Sequence, residues 1–130
     1  MEAPNQRIGS GLIHQMIKPV VSNISLMDSD DPSTYTPPDP LNFSVWLRIM
    51  VGTDSECGED SFDIEVISMN RLAEMIADRR VVFGMWKVFV DHYDYATLEN
   101  KISGYVSRCS GESWEEVSGK LRAFGLWEFE

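Results

Sequence analysis

Histidine is nearly missing from this chain: there are two in 130 residues, His14 and His92. Most nucleophile–base pairs rely on an imidazole, and the chain also has no G-x-S-x-G, no Gly-rich phosphate loop and no H-E-x-x-H. No catalytic residue is assigned. Cysteine is as scarce: Cys57 and Cys109 form neither a C-x-x-C nor a pair with His, which excludes a zinc knuckle and a disulfide framework. Neither a metal nor a cofactor is expected. There is no charged-then-apolar leader and no run of about 18 apolar residues, so no membrane span is expected and a cytoplasmic location is the default. Bases are few, 11 against 21 acids, for a formal charge of −10. Such a field repels nucleic-acid phosphates and anionic membranes and favours a basic partner, although it also serves plain solubility.

Two local clusters invite a chemical reading, and spacing argues against both. In Asp91-His92-Tyr93-Asp94 adjacent strand residues point to opposite faces, so Asp91 and His92 converge only if the strand breaks there. Asp94 is placed to cap a helix. The acidic run around Asp54, Glu56 and Gly58 does not follow the register of a calcium loop.

What is present suits one folded domain: 43% of residues are hydrophobic, four of them Trp. Residues 1–15 read as a loose arm and 16–130 as a single α+β domain. Val20, Ser22, Ile24 and Leu26 give a first strand at period two, with Pro19 favouring a sheet edge. The Pro- and Asp-rich stretch 28–40 reads as an extended surface loop. Phe43, Val45, Leu47, Ile49 and Val51 alternate with Ser44, Trp46, Arg48 and Met50, and Phe62, Ile64 and Val66 alternate with Asp63 and Glu65, which predicts an antiparallel hairpin. Asn70 is placed to cap a helix to about Arg79. Residues 81–92, apolar on both parities, suit a strand covered on both faces or one beside a partly exposed aromatic patch. Asp94 opens a helix carrying Leu98, Ile102, Tyr105, Val106 and Cys109. Together these predict a mostly antiparallel sheet of about four to five strands with three helices packed on one face.

The positive signal is acidic. Asp54, Glu56, Glu59, Asp60, Asp63 and Glu65 fall between Thr53 and Asn70 with no Lys or Arg among them. Solvated like charges this close repel, and a cationic partner would turn that repulsion into attraction and faster association. A solvated loop and edge strand explain the same run without a partner. Trp46 stands on the polar parity of its strand, either under a helix or as an exposed anchor.

The final residues Ser113–Glu130 (SWEEVSGKLRAFGLWEFE) contain a capping box at Ser113 and Glu116, an apolar stripe of Trp114, Val117, Leu121 and Phe124, and Gly125 where a left-handed cap is expected. Leu126 to Glu130 alternates apolar and acidic residues, so Trp127 and Phe129, like Trp114 and Phe124, are expected in the core. This string, with Gly52–Val66 (GTDSECGEDSFDIEV), resembles the immunity protein 8 family of bacterial polymorphic toxin systems over Met16–Glu130. Residues 1–15 have no counterpart in it. The resemblance implies a binding protein that neutralises a cognate toxin. The acids Asp54, Glu56, Glu59, Asp60, Asp63 and Glu65, with Trp46, are the candidate toxin-binding set. Were the toxin a nuclease, its basic site could be occluded by carboxylates standing in for phosphates. Two other readings stay open: a carboxylate-based hydrolase, and a regulatory module that self-associates through the aromatic strand at 81–93.

Overall fold

Period-two alternation sets the centre of the molecule, whose computed structural model describes residues 16–28, 30–53 and 59–130. The arm predicted at 1–15 lies outside the described residues. In β2 (Ser44–Thr53) Leu47, Ile49 and Val51 have no exposed surface, and in β3 (Asp60–Ser68) neither do Phe62, Ile64 and Val66. The strands pair antiparallel with Leu47 opposite Ile64 and Ile49 opposite Phe62, which gathers the apolar residues on one inner face.

β1 (Pro19–Leu26) adds antiparallel to β2 at the sheet edge that Pro19 suggests. Its alternation is not continuous. A bulge between Val21 and Asn23 shifts the parity, so Val21 joins Ile24 and Leu26 inside while Val20 is exposed.

The other edge of β3 is divided between two short strands. β4 (Lys87–Val90) pairs parallel with Glu65–Ser68, and β5 (Leu126–Trp127) pairs antiparallel with Phe62 and Asp63. A parallel neighbour needs a crossover, which α1 (Met69–Arg79) supplies. Two further helices, α2 (Tyr95–Ser107) and α3 (Trp114–Arg122), bring Leu98, Ile102, Val106, Val117 and Leu121 into one cluster with the inner face. Among the described residues five strands, mostly antiparallel, and three helices make the α+β domain that the element order predicts.

The helix starts show how local chemistry is used. The Asp94 carboxylate accepts from the Thr97 amide at 3.2 Å and from the Thr97 hydroxyl at 2.9 Å, so α2 begins where expected. In α3, Ser113 Oγ accepts from the Glu116 amide at 3.1 Å. Glu116 reaches one residue further back than a capping box requires and accepts from the Glu112 amide at 2.9 Å, a bond that holds its carboxyl below the usual range. α1 departs from expectation: buried Ser68, not Asn70, is its cap. Ser68 ends β3, exchanges hydrogen bonds with Phe43 and accepts from the Arg71 amide, so strand passes into helix with no loop between.

Residues 81–92 are corrected more deeply. Only 87–90 are strand, because Arg80 (φ 70°) and Trp86 (φ 58°) turn the chain in the left-handed region on either side of an open connection. Its apolar side chains face solvent: Phe83 is 80% exposed, and Val81 and Met85 are exposed too. Gly125 is also not a left-handed cap. It lies so close to β3 that a Cβ there would meet Phe62 Cβ at 3.0 Å and the Asp63 carbonyl oxygen at 3.3 Å. Trp114, Phe124 and Trp127 are half-buried against the core, but Phe129 is 66% exposed, set edge-on to Trp127 with ring centroids 4.9 Å apart.

The Pro- and Asp-rich loop is pinned rather than loose. Tyr93 donates from its hydroxyl to the Pro32 carbonyl at 2.6 Å and from its amide to the Pro40 carbonyl at 2.9 Å. Tyr35 and Phe43 both meet the Tyr93 ring edge-on. Among the described residues no helix is long and apolar enough to cross a membrane.

Candidate functional site

The polar parity of β2 and β3 forms an outer face on the side of the sheet away from Leu47 and Ile64. Trp46 lies opposite Glu65, and Glu65 opposite Lys87 on β4, so one row across the sheet reads Trp–Glu–Lys. The next row places Arg48 opposite Asp63. Arg48 donates from Nε and Nη2 to the two Asp63 oxygens, each at 3.0 Å, and this carboxylate raises the Arg48 pKa. Lys87 Nζ stands 3.7 Å from Glu65 Oε1, with both side chains mostly covered. Trp46 remains 37% exposed and Phe89, in the row of Ser44 and Ile67, is exposed as well. The face thus presents aromatic surface around charges that already have partners.

The structure separates the four described acids of the 53–70 run. Asp54 and Glu56 lie outside the described residues. Glu59 is exposed just before β3 and accepts from the Ser22 hydroxyl. Asp60 shares the parity of Phe62 and turns to the helix-covered side, where its Oδ2 accepts from the indole N–H of Trp114 at 2.9 Å and of Trp127 at 3.1 Å. One carboxylate therefore fastens both α3 and β5 to the sheet. Asp63 and Glu65 do share the outer face, as their parity requires, but Arg48 and Lys87 meet their charge. The physical reason is cross-strand pairing. Neighbouring strands supply the bases that the local run 53–70 lacks.

Asp91 and His92 do converge, because the strand ends at Val90. Their contact, Oδ1 to Nδ1 at 2.9 Å, is solvent-exposed, and the two hydrogen bonds from His92 hold the Asp91 carboxyl below the usual range. Among the described residues no group of three or more His, Cys, Asp or Glu is placed to hold a metal ion. Cys109 is buried, and burial pushes its thiol pKa up, which makes it a poor nucleophile.

A feature the sequence did not single out lies beside this pair. A cleft of about 590 Å³ runs between the 33–40 loop and the start of α2, with Tyr35, Pro37, Tyr93, Tyr95 and Glu99 among its walls. Tyr93 and Tyr95 flank the cap residue Asp94, and that flanking was the available signal. The partner wall, some 55 residues upstream, gave none.

Comparison with known proteins agrees with the two blocks noted in the sequence. The family described as Immunity protein 8 matches over residues 20–130. No curated protein and no solved structure matches the chain.

Proposed function

The chain belongs to the immunity protein 8 family, and from that premise we propose that it binds a cognate toxin protein on the outer face of β2 and β3, centred on Trp46. The observation that carries this reading is the contrast along one strand. Leu47, Ile49 and Val51 are fully buried, while Trp46 keeps 37% of its surface in solvent between paired charges. Tryptophan is among the residues enriched at interface hot spots, and one left part-exposed on a strand suits an anchor. Arg48–Asp63 and Lys87–Glu65 favour docking because pairs already formed lose less on desolvation than isolated charges.

In this reading the candidate acids have different tasks. Asp54, Glu56 and Glu59 supply a negative field that steers a basic toxin surface toward the face, and Asp63 and Glu65 touch the toxin as members of their pairs. Asp60 stays with its two indoles. Trp46 and the end of β2 at Thr53, after which the acids follow in sequence, lie about 23 Å apart at 3.3 Å per residue, a span that an interface of about 800 Å² per partner covers. Binding alone would protect the cell by covering the toxin's site, and a basic nuclease site would fit this field best. A cytoplasmic location follows from the same reading.

The test pairs this protein with the toxin domain encoded by the adjacent gene. Trp46→Ala should weaken binding by about 30-fold and abolish protection during co-expression, with the circular dichroism spectrum unchanged. Neutralising Asp54, Glu56 and Glu59 together should lower the on-rate and flatten its salt dependence. Undiminished protection by Trp46→Ala would place the interface elsewhere.

A further inference from the structure

Several features outside the proposed face carry no assignment. The apolar connection with Phe83 and Met85 is exposed, but nothing shows what covers it. The Asp91–His92 pair is a two-residue surface contact. The cleft between the 33–40 loop and α2 differs from both, because its shape and its charge point to one kind of occupant.

We infer that this cleft receives the guanidinium of an arginine side chain presented by the protein partner. The walls are preformed. Tyr93 holds the loop through Pro32 and Pro40, at 2.6 and 2.9 Å, and Tyr35 and Phe43 brace its ring. Asp31 tightens the loop further by accepting from the Ser33 amide at 2.9 Å and the Ser33 hydroxyl at 2.7 Å. A cleft of about 590 Å³ falls within the range that small ligands and single side chains use.

The lining is tyrosine, proline and carboxylate. Among the described residues neither Lys nor Arg lines it, whereas Asp94 and Glu99 do. Burial first, and then neighbouring groups that include Asp31, push the Tyr93 and Tyr95 hydroxyls up to about 12, as expected where further negative charge is unwelcome. Asp94 is committed to Thr97. Glu99, one helical turn after Tyr95, also lines the cleft, and its carboxylate has lone pairs for an incoming donor. Aromatic rings beside a carboxylate suit a planar, weakly hydrated cation better than an ammonium, which selects arginine over lysine. His92, which also lines the cleft, is turned to Asp91.

The inference rests on the reading of the chain as a protein-binding immunity protein, but its test needs no toxin. N-acetyl-arginine amide is titrated into the full ¹⁵N-labelled chain, with the citrulline analogue as the uncharged isostere. The arginine derivative should shift the amides of Tyr93, Tyr95, Ala96 and Glu99 along one saturating curve at millimolar concentration, and citrulline should bind about tenfold more weakly. Glu99→Gln should weaken the arginine derivative about fivefold, and Glu99→Lys, which places a cation in the cleft, should abolish the shifts. Equal binding of citrulline, or non-saturating shifts spread over acids such as Asp39 and Glu59, would overturn the inference. So would an unaltered curve for Glu99→Lys. Failure here leaves the Trp46 experiment untouched, and failure there leaves this one standing.

Discussion

The two faces of β2 and β3 are made by alternate residues of the same strands, yet they obey different rules. On the inner face every central position is fully buried and aliphatic or aromatic: Leu47, Ile49, Phe62, Ile64 and Val66. On the outer face Trp46, Arg48, Asp63 and Glu65 stay part-exposed, and the charged ones are matched across strands. The inner face has one well-packed solution, so a change there is felt by the whole domain. The outer face holds its charges by pairwise contacts whose loss the fold survives. A protein that must fit a particular partner can therefore vary the second face while keeping the first.

The sharpest way to break that contrast is to truncate neighbours of opposite parity. Leu47→Ala should destabilise the domain by about 2–5 kcal/mol, since it opens a cavity at a site with no exposed surface. Trp46→Ala, one residue away, should cost about 1 kcal/mol or less while weakening toxin binding about 30-fold. Urea melts of both variants measure the difference, and equal losses would mean that Trp46 is a core residue.

Asp60 tests whether an acid can belong to the inner face. Asp60→Ala leaves two indole N–H groups without their acceptor and should destabilise by about 2 kcal/mol, with altered tryptophan fluorescence as α3 and β5 loosen. A milder effect is expected from the outer pair: a double-mutant cycle on Arg48 and Asp63 should give about 0.2–1 kcal/mol of coupling, falling as salt is added.

A separate test is a pH dependence away from both faces. Tyr93 and Tyr95 ionise only at about 12 in the fold, because burial disfavours their phenolates, against 10 for a free tyrosine. Their folded pKa is raised, so their contribution is complete below pH 10. It is lost as pH climbs from 10 toward 12, where the unfolded chain has released protons that the folded one retains. Stability measured between pH 9 and 12 should fall, and Tyr95→Phe should flatten the fall.

The readable parts of the fold were those set by short-range chemistry. The alternation of β2 and β3 and the caps Asp94 and Ser113 each depend on residues within a few positions. What could not be read depends on register or distance. The pairing of Trp46 with Glu65 and of Arg48 with Asp63 follows from how the hairpin closes, and residues 54–59 leave that register unspecified. The indoles that claim Asp60 come from 54 and 67 residues away. The parity of Asp60 with Phe62 was visible and already separated it from Asp63. In 81–92, apolar content implied burial, but hydrophobicity says nothing of the left-handed turns at Arg80 and Trp86. The candidate site was thus legible in its residues, and its arrangement only after folding.

The divided edge of β3 has a consequence for how the protein fails. SFDIEVIS is an alternating, strand-prone sequence, the sort that templates fibrils when its backbone groups are bare. Here β2 guards one flank, and two small pieces from distant parts of the chain, β4 and β5, guard the other. Loosening either piece would bare a strand edge that could pair with a second chain.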